Sequence, residues 1–307
     1  MAGNNETTAP AHLPAIGFVL LSSLGLFWGL NWPVMKITLM ELPIWWFRVI
    51  SVSFGGIGLL LVSASMGLRV WPARAEIGAL LLCALFSVIG WHIMTGYGVS
   101  LMPAGRASII AFTMPVWAAL LASWLLGERI TIYKTLGLCL GVAGLAALIG
   151  PDMITLGTAP LGAAFMLGAS LCWALGTVLF KKFVWVSPIT SLVGWQLLVG
   201  AVPITVGALI LEPVPDMAAV SVEVWVGLAY LIALPMIYCQ WAYFYVVQIF
   251  PAAIAAIGTL AVPIVGVFSS ALLLGETVGL PEVLALGLIS AALFVVLVLP
   301  TLSRRSG

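Results

Sequence analysis

One histidine, His92, lies within the apolar stretches of this chain. With an unperturbed pKa of about 6.5, it is the one side chain there suited to exchanging protons near neutrality. Metal-assisted hydrolysis wants several His, Cys or carboxylate ligands at close spacing, and acyl transfer wants a nucleophile beside a base on a strained loop. His92 has neither setting. Cys83, Cys139, Cys172 and Cys239 stand far apart in apolar sequence with no CxxC pair, and read as small packing residues. These residue types point away from an enzyme and away from any metal or other cofactor.

What remains is hydrogen bonding and ring faces. Gln240 follows His92 by 148 residues, with Tyr243 on the same helical face. Asn31 lies one turn from Trp28, just before Pro33. A proline there cannot donate a hydrogen bond and clashes with the carbonyl of Gly29, which is left available to a ligand. Trp173 follows Trp28 by 145 residues, and Trp117 falls inside an apolar stretch. Trp28, Asn31, His92, Trp117, Trp173, Gln240 and Tyr243 are therefore the candidate substrate-binding residues. Each has a plainer reading: a histidine satisfied between helices, a proline kink, or an aromatic anchor at the membrane surface.

The elements that must carry these residues follow from composition and repetition. Of 307 residues 63% are hydrophobic and 7% charged, where a soluble domain has about 25% charged. Apolar blocks fall near 15–36, 43–66, 76–98, 104–126, 131–150, 160–182, 188–211, 222–247, 252–275 and 281–302. Each approaches the ~20 residues that cross ~30 Å of hydrocarbon as a helix. The expectation is an all-α integral membrane protein of ten transmembrane helices, with residues 1–14 a disordered tail. A net charge of +1 argues against a nucleic-acid partner.

The chain contains one pattern twice. Pro103-Ala104, Pro115 and Gly127-Glu128 recur as Pro251-Ala252, Pro263 and Gly275-Glu276, and Tyr97 recurs as Tyr245, all at an offset of 148. Trp28 and Lys36 recur as Trp173 and Lys181 at 145. The halves, 15–150 and 159–302, hold five helices each, so the second enters the membrane inverted. With both termini inside, the cytoplasmic side receives Arg69, Arg74, Arg129, Lys134, Lys181, Lys182, Arg304 and Arg305. The outer side receives Lys36, Arg48 and Arg106. That bias sets an N-in, C-in orientation. Arg48 and Arg106 are expected to snorkel to the outer surface. Gly137-x-x-x-Gly141 and Gly287-x-x-x-Ala291 are expected to pack the fifth and tenth helices together.

Trp28-Gly29-x-Asn31 with Lys36, Pro43 with Arg48, Pro103 with Pro115, and Gly127-Glu128-Arg129 before Gly137 carry a family resemblance. Over residues 15–302 the sequence resembles the drug/metabolite transporter superfamily, specifically its ten-helix exporters with two EamA-type repeats. Its aromatic interior is similar to the YddG-type amino-acid exporters. Gly176, Val178 and Val193 stand in the second repeat where Asn31, Pro33 and Arg48 stand in the first. A role for those three cannot be carried across the repeats.

Inverted repeats suit alternating access to a midplane site. The resemblance implies export of aromatic or neutral amino acids, or related small metabolites, across the inner membrane. The alternative is a proton-coupled exporter of drugs or other metabolites. A receptor or scaffold would bind a solute without net flux. No Walker motif is present, so the chain by itself is not an ATP-driven pump. No Asp or Glu lies at midplane depth, where a proton-coupled carrier often keeps one. Facilitated diffusion is the expectation, with a proton switch at His92 as the alternative. The expected partners are a small-molecule substrate and the lipid bilayer, and the expected state is a monomer.

Overall fold

A computed structural model describes residues 15–155, 159–249 and 252–299; the expected N-terminal tail lies outside them. The described residues form ten helical runs and no strand. Runs α1 and α2 are Ala15–Thr38 and Ile44–Ser65. Run α3 is Arg74–Leu101, and α4 is Ala104–Leu125 with an irregular turn at Phe112-Thr113. Runs α5, α6 and α7 are Ile132–Thr155, Ala159–Lys182 and Ile189–Leu211. Run α8 joins Val222–Leu231, Ile232–Tyr238 and Cys239–Ile249; α9 is Ala252–Leu274 and α10 is Leu280–Val298. Among the described residues eight helices are long and apolar enough to cross a membrane, with a shorter apolar helix at Ala261–Leu274. Lipid cannot satisfy exposed backbone polar groups, which is why the apolar blocks fold as helices.

The two halves interlock. Helix α1 packs on α9 and α8, and its repeat partner α6 packs on α4 and α3. Helices α2 and α7 pair with each other, as do α5 and α10. Close approach is set by glycines. A Cβ on Gly29 would lie 2.4 Å from Val265 of α9. A Cβ on Gly56 would lie 3.0 Å from the Gly194 carbonyl, and one on Gly194 3.2 Å from the Gly56 carbonyl. The α5–α10 pairing is as expected, and Gly137 takes part in it, but Gly141 and Gly287 do not. Gly137 meets Val296 of α10, Gly141 faces Val116 of α4, and Gly287 faces open space.

The repeat is visible in the backbone. Gly127 and Gly275, equivalent in sequence, both have φ of 67°. This left-handed residue ends α4 and α9 and costs only glycine nothing sterically. Helices α3 and α8 also share a wide π-helical stretch, at Leu85–Gly90 and Ile232–Tyr238, which coincide at the same offset.

Candidate functional site

The π stretches end just before the two hydrogen-bonding candidates. His92 follows the first by two residues, after Trp91, and Gln240 follows the second by two, after Cys239. A π turn carries an extra residue, so it rotates every later side chain relative to the earlier ones, and such turns cluster at functional sites. Pro235 within the second stretch leaves its own carbonyl accepting from Trp28 Nε1 of α1 at 3.3 Å.

Two aromatic pairs follow. The rings of Trp28 and Tyr243 lie 5.7 Å apart, joining α1 to α8. Those of Trp173 and Trp91 lie 4.9 Å apart, joining α6 to α3. Each contact is worth about 0.5–1.5 kcal/mol beyond its buried area. All four rings are half-buried, so faces remain for a solute. Trp91 was not singled out from sequence because its repeat equivalent is Cys239, which offers no aromatic signal. Trp117 donates to Thr113 Oγ1 at 3.0 Å, and that hydroxyl lies 2.9 Å from Ser170 Oγ, linking α4 to α6.

The remaining candidates are placed differently. Asn31 and Gln240 are half-buried, and neither side chain hydrogen-bonds another described residue. His92 is 6% exposed, and its Nδ1 is sealed in without a partner among the described residues. Helix α1 runs on through Pro33. The structure thus brings Trp28 to Tyr243 and Trp173 to Trp91. His92 belongs to a separate cluster around Arg48.

That cluster corrects one expectation. Arg48 does not snorkel; it is 4% exposed. Its Nε donates to the His92 carbonyl at 2.7 Å, and Nη2 reaches Thr95 Oγ1 at 2.7 Å and Met35 Sδ at 2.9 Å. The guanidinium also stacks 4.7 Å from the centre of the Phe47 ring. Arg106, 20% exposed, pairs at 2.6 Å with Glu282 in the first turn of α10.

Charged groups otherwise gather at the helix ends. Glu276, just beyond α9, accepts from the backbone nitrogens of Ala104 and Gly105 at 2.6 and 2.9 Å, capping α4. Beside it Lys36 of α1 donates to the carbonyls of Val99, Ser100 and Met102, at 2.6, 3.0 and 3.2 Å, closing the last turn of α3. The equivalents Glu128 and Lys181 pair with each other at 2.7 Å, and Lys134 lies 3.1 Å from Glu128. The hydrogen bonds from Lys181 and Lys134 hold the Glu128 carboxyl below the usual carboxylate range. Among the described residues no group of His, Cys, Asp and Glu could hold a metal.

Known proteins share this plan. A solved crystal structure superposes with a TM-score of 0.66 at 18% identity, covering 93% of this chain and 98% of its own. The "Uncharacterized transporter YoaV" of Bacillus subtilis is 26% identical over 274 residues, 89% of this chain and 93% of its own. The "Probable amino-acid metabolite efflux pump" of Escherichia coli is 26% identical over 281 residues, 87% of this chain and 90% of that protein. The "Uncharacterized inner membrane transporter YedA" of the same species is 27% identical over 286 residues, 92% of this chain and 90% of that one. The EamA-like transporter family matches residues 15–150 and again 160–298. This multi-pass inner-membrane chain, a transporter and not an enzyme, belongs to the EamA-like transporter family.

Proposed function

We propose that the chain exports aromatic or neutral amino acids, or closely related small metabolites, by alternating access between its two inverted five-helix repeats. All ten helical runs cross the membrane with both termini inside, and one chain holds one complete site. The observation that carries this reading is the unequal engagement of two equivalent turns. Both glutamates reach the other repeat, but Glu276 caps a helix there through two backbone nitrogens, whereas Glu128 holds only lysine side chains, Lys134 of its own repeat and the 67% exposed Lys181 of the other. Two halves related by inversion can exchange these arrangements, and the exchange moves the opening from one end to the other. In the N-in orientation the tied end faces outward, and the solute enters from the cytoplasm.

The candidate site supports an uncharged or zwitterionic solute with an apolar side chain. Trp28, Tyr243, Trp91 and Trp173 offer ring faces, and Asn31 and Gln240 offer amide groups not already taken by described residues. Two relatives are named as amino-acid metabolite efflux pumps. None of the described carboxylates sits mid-helix, so the solute runs down its own gradient. The test is purified protein in liposomes with labelled L-phenylalanine and L-leucine, without pH gradient or membrane potential. Equilibration of either across the bilayer is the expected result. Accumulation that needs an imposed proton gradient would replace the downhill reading, and transport of lipophilic drug cations alone would replace the substrate class. Trp28→Ala and Trp173→Ala should each raise the apparent KM by roughly 5- to 30-fold, the equivalent of ~1–2 kcal/mol of lost ring contact.

A further inference from the structure

We propose that Arg48 anchors the carboxylate of the transported solute, with His92 beside it; the inference rests on the substrate class above and sharpens it. A charged side chain at depth in a membrane helix is costly, and it ordinarily pairs with an opposite charge or faces a path. Arg48 is buried, yet among the described residues it makes no ion pair. Its protein partners are one carbonyl, one hydroxyl and one thioether. All three are neutral, so the positive charge is uncompensated. A thioether is a weak acceptor, which makes Met35 Sδ the partner that a carboxylate oxygen would displace. The second terminal nitrogen, Nη1, has no partner among the described residues. Nη1 and Nη2 together form the planar fork that grips a carboxylate with two parallel hydrogen bonds.

A second observation points to the same place. The ring of His92, whose carbonyl Arg48 holds, keeps Nδ1 sealed in and unpartnered. A buried nitrogen without a partner costs about 1–3 kcal/mol, and a bound oxygen would relieve it. The cluster spans three helices of one repeat: Met35 on α1, Arg48 and Phe47 on α2, and His92 and Thr95 on α3. A ligand that binds here therefore touches elements on the α1 side, which carries Lys36 at the tied end. Val193 stands at the equivalent position of the other repeat, so the anchor exists once per chain, as a single solute requires.

The experiment compares solutes that differ in the carboxylate alone: L-phenylalanine, L-phenylalaninamide and 2-phenylethylamine, carried by the full-length protein in liposomes. The wild type should prefer the acid over both others by roughly 10- to 100-fold in kcat/KM, the range of one charge-assisted bidentate contact. Arg48→Gln should erase that preference, mainly through KM for the acid, so that the three solutes are carried with similar kcat/KM. Arg48→Lys, which keeps the charge and loses the fork, should retain part of the preference. A purely structural tie would instead lower transport of all three solutes together, and that result overturns the proposal. Equal transport of acid and amide by the wild type overturns it without any variant, so a misfolded Arg48→Gln does not shelter it. If the wild type carries other carboxylates over their amides but no amino acid, the amino-acid reading falls and the anchor stands. If it carries organic cations only, both fall.

Discussion

Gly127-Glu128 and Gly275-Glu276 begin from the same backbone, with φ of 67° at both glycines, and end in different company. At the Glu276 end the carboxylate binds two backbone nitrogens of a helix from the other repeat. At the Glu128 end the carboxylate is 34% exposed and faces two lysines. Helix α4, which runs between the two ends, records the difference along its length. From Ala104 to Ala111 all residues but Arg106 are buried. From Met114 to Leu125 only Val116 and Ala122 are. Packing is dense where the end is tied and sparse where it is not. Not every flank differs, however. Glu41 accepts from Ser221 at one end, and Glu76 accepts from Ser187 at the other, so the loop α1–α2 and the loop α6–α7 are both secured to the start of a helix in the opposite repeat. The unequal turns lie on the flank built from α1, α4, α6 and α9.

The largest test of this comparison is Glu276→Ala. It removes two charge-assisted bonds worth about 1.5–3 kcal/mol each, enough to shift a two-state population by roughly 10²- to 10⁴-fold. A cysteine placed at the fully buried Ala107 should become rapidly alkylated in that background. If its alkylation rate is unchanged, Glu276 does not hold the end shut. Arg106→Gln should act in the same direction and less, by roughly 1–3 kcal/mol, because its partner Glu282 is buried while Arg106 is partly exposed. Gly29→Val should cost about 1–3 kcal/mol in thermal stability by forcing α1 off α9, where the new Cβ would overlap Val265.

The smallest effects belong to the Glu128 end. Lys181→Ala should change stability by no more than ~1 kcal/mol, since the pair is exposed and screened. If Lys181→Ala equals Glu276→Ala in its effect on alkylation, the two ends are not different after all. The pH dependence has a defined sign. The Glu128 carboxyl is held below 4.5, so its contribution is fully present above that value and is lost as pH falls through the depressed one. The contribution of Glu128, read as the difference in thermal unfolding temperature between the wild type and Glu128→Gln, should stay flat from pH 8 to pH 5.

The fold was readable because its determinants are local and repetitive. Apolar blocks of bilayer length leave helix as the solution, and Pro, Gly and Glu at fixed offsets reveal the duplication without any contact information. The aromatic pairs were half readable. Trp28 and Trp173 announce themselves as repeat equivalents, but their partners Tyr243 and Trp91 occupy non-equivalent positions, so no offset links them. Arg48 was misread for a physical reason. One turn from the start of α2 a long side chain can reach either the surface or the interior, and the choice depends on whether α3 presents the His92 carbonyl and Thr95 hydroxyl. Sequence distance does not contain that. The π stretches left no composition signal in α3; only Pro235 in α8 hinted at an irregular turn.

The crossing of α2 and α7 at Gly56 and Gly194 carries a mechanical consequence. A Cβ on either glycine would press on the other's carbonyl at nearly the same separation, although the two are not repeat equivalents: the offset of 145 carries Gly56 to Ala201. The crossing is flanked by Leu198 against Gly56 and by Leu60 against Gly194. Such a joint behaves as a rivet. Backbone meets backbone with a leucine wedged beside each glycine, so the two helices have little room to slide or roll without parting. Under the alternating access proposed above, they would turn together as one stiff piece while the helix ends around them move.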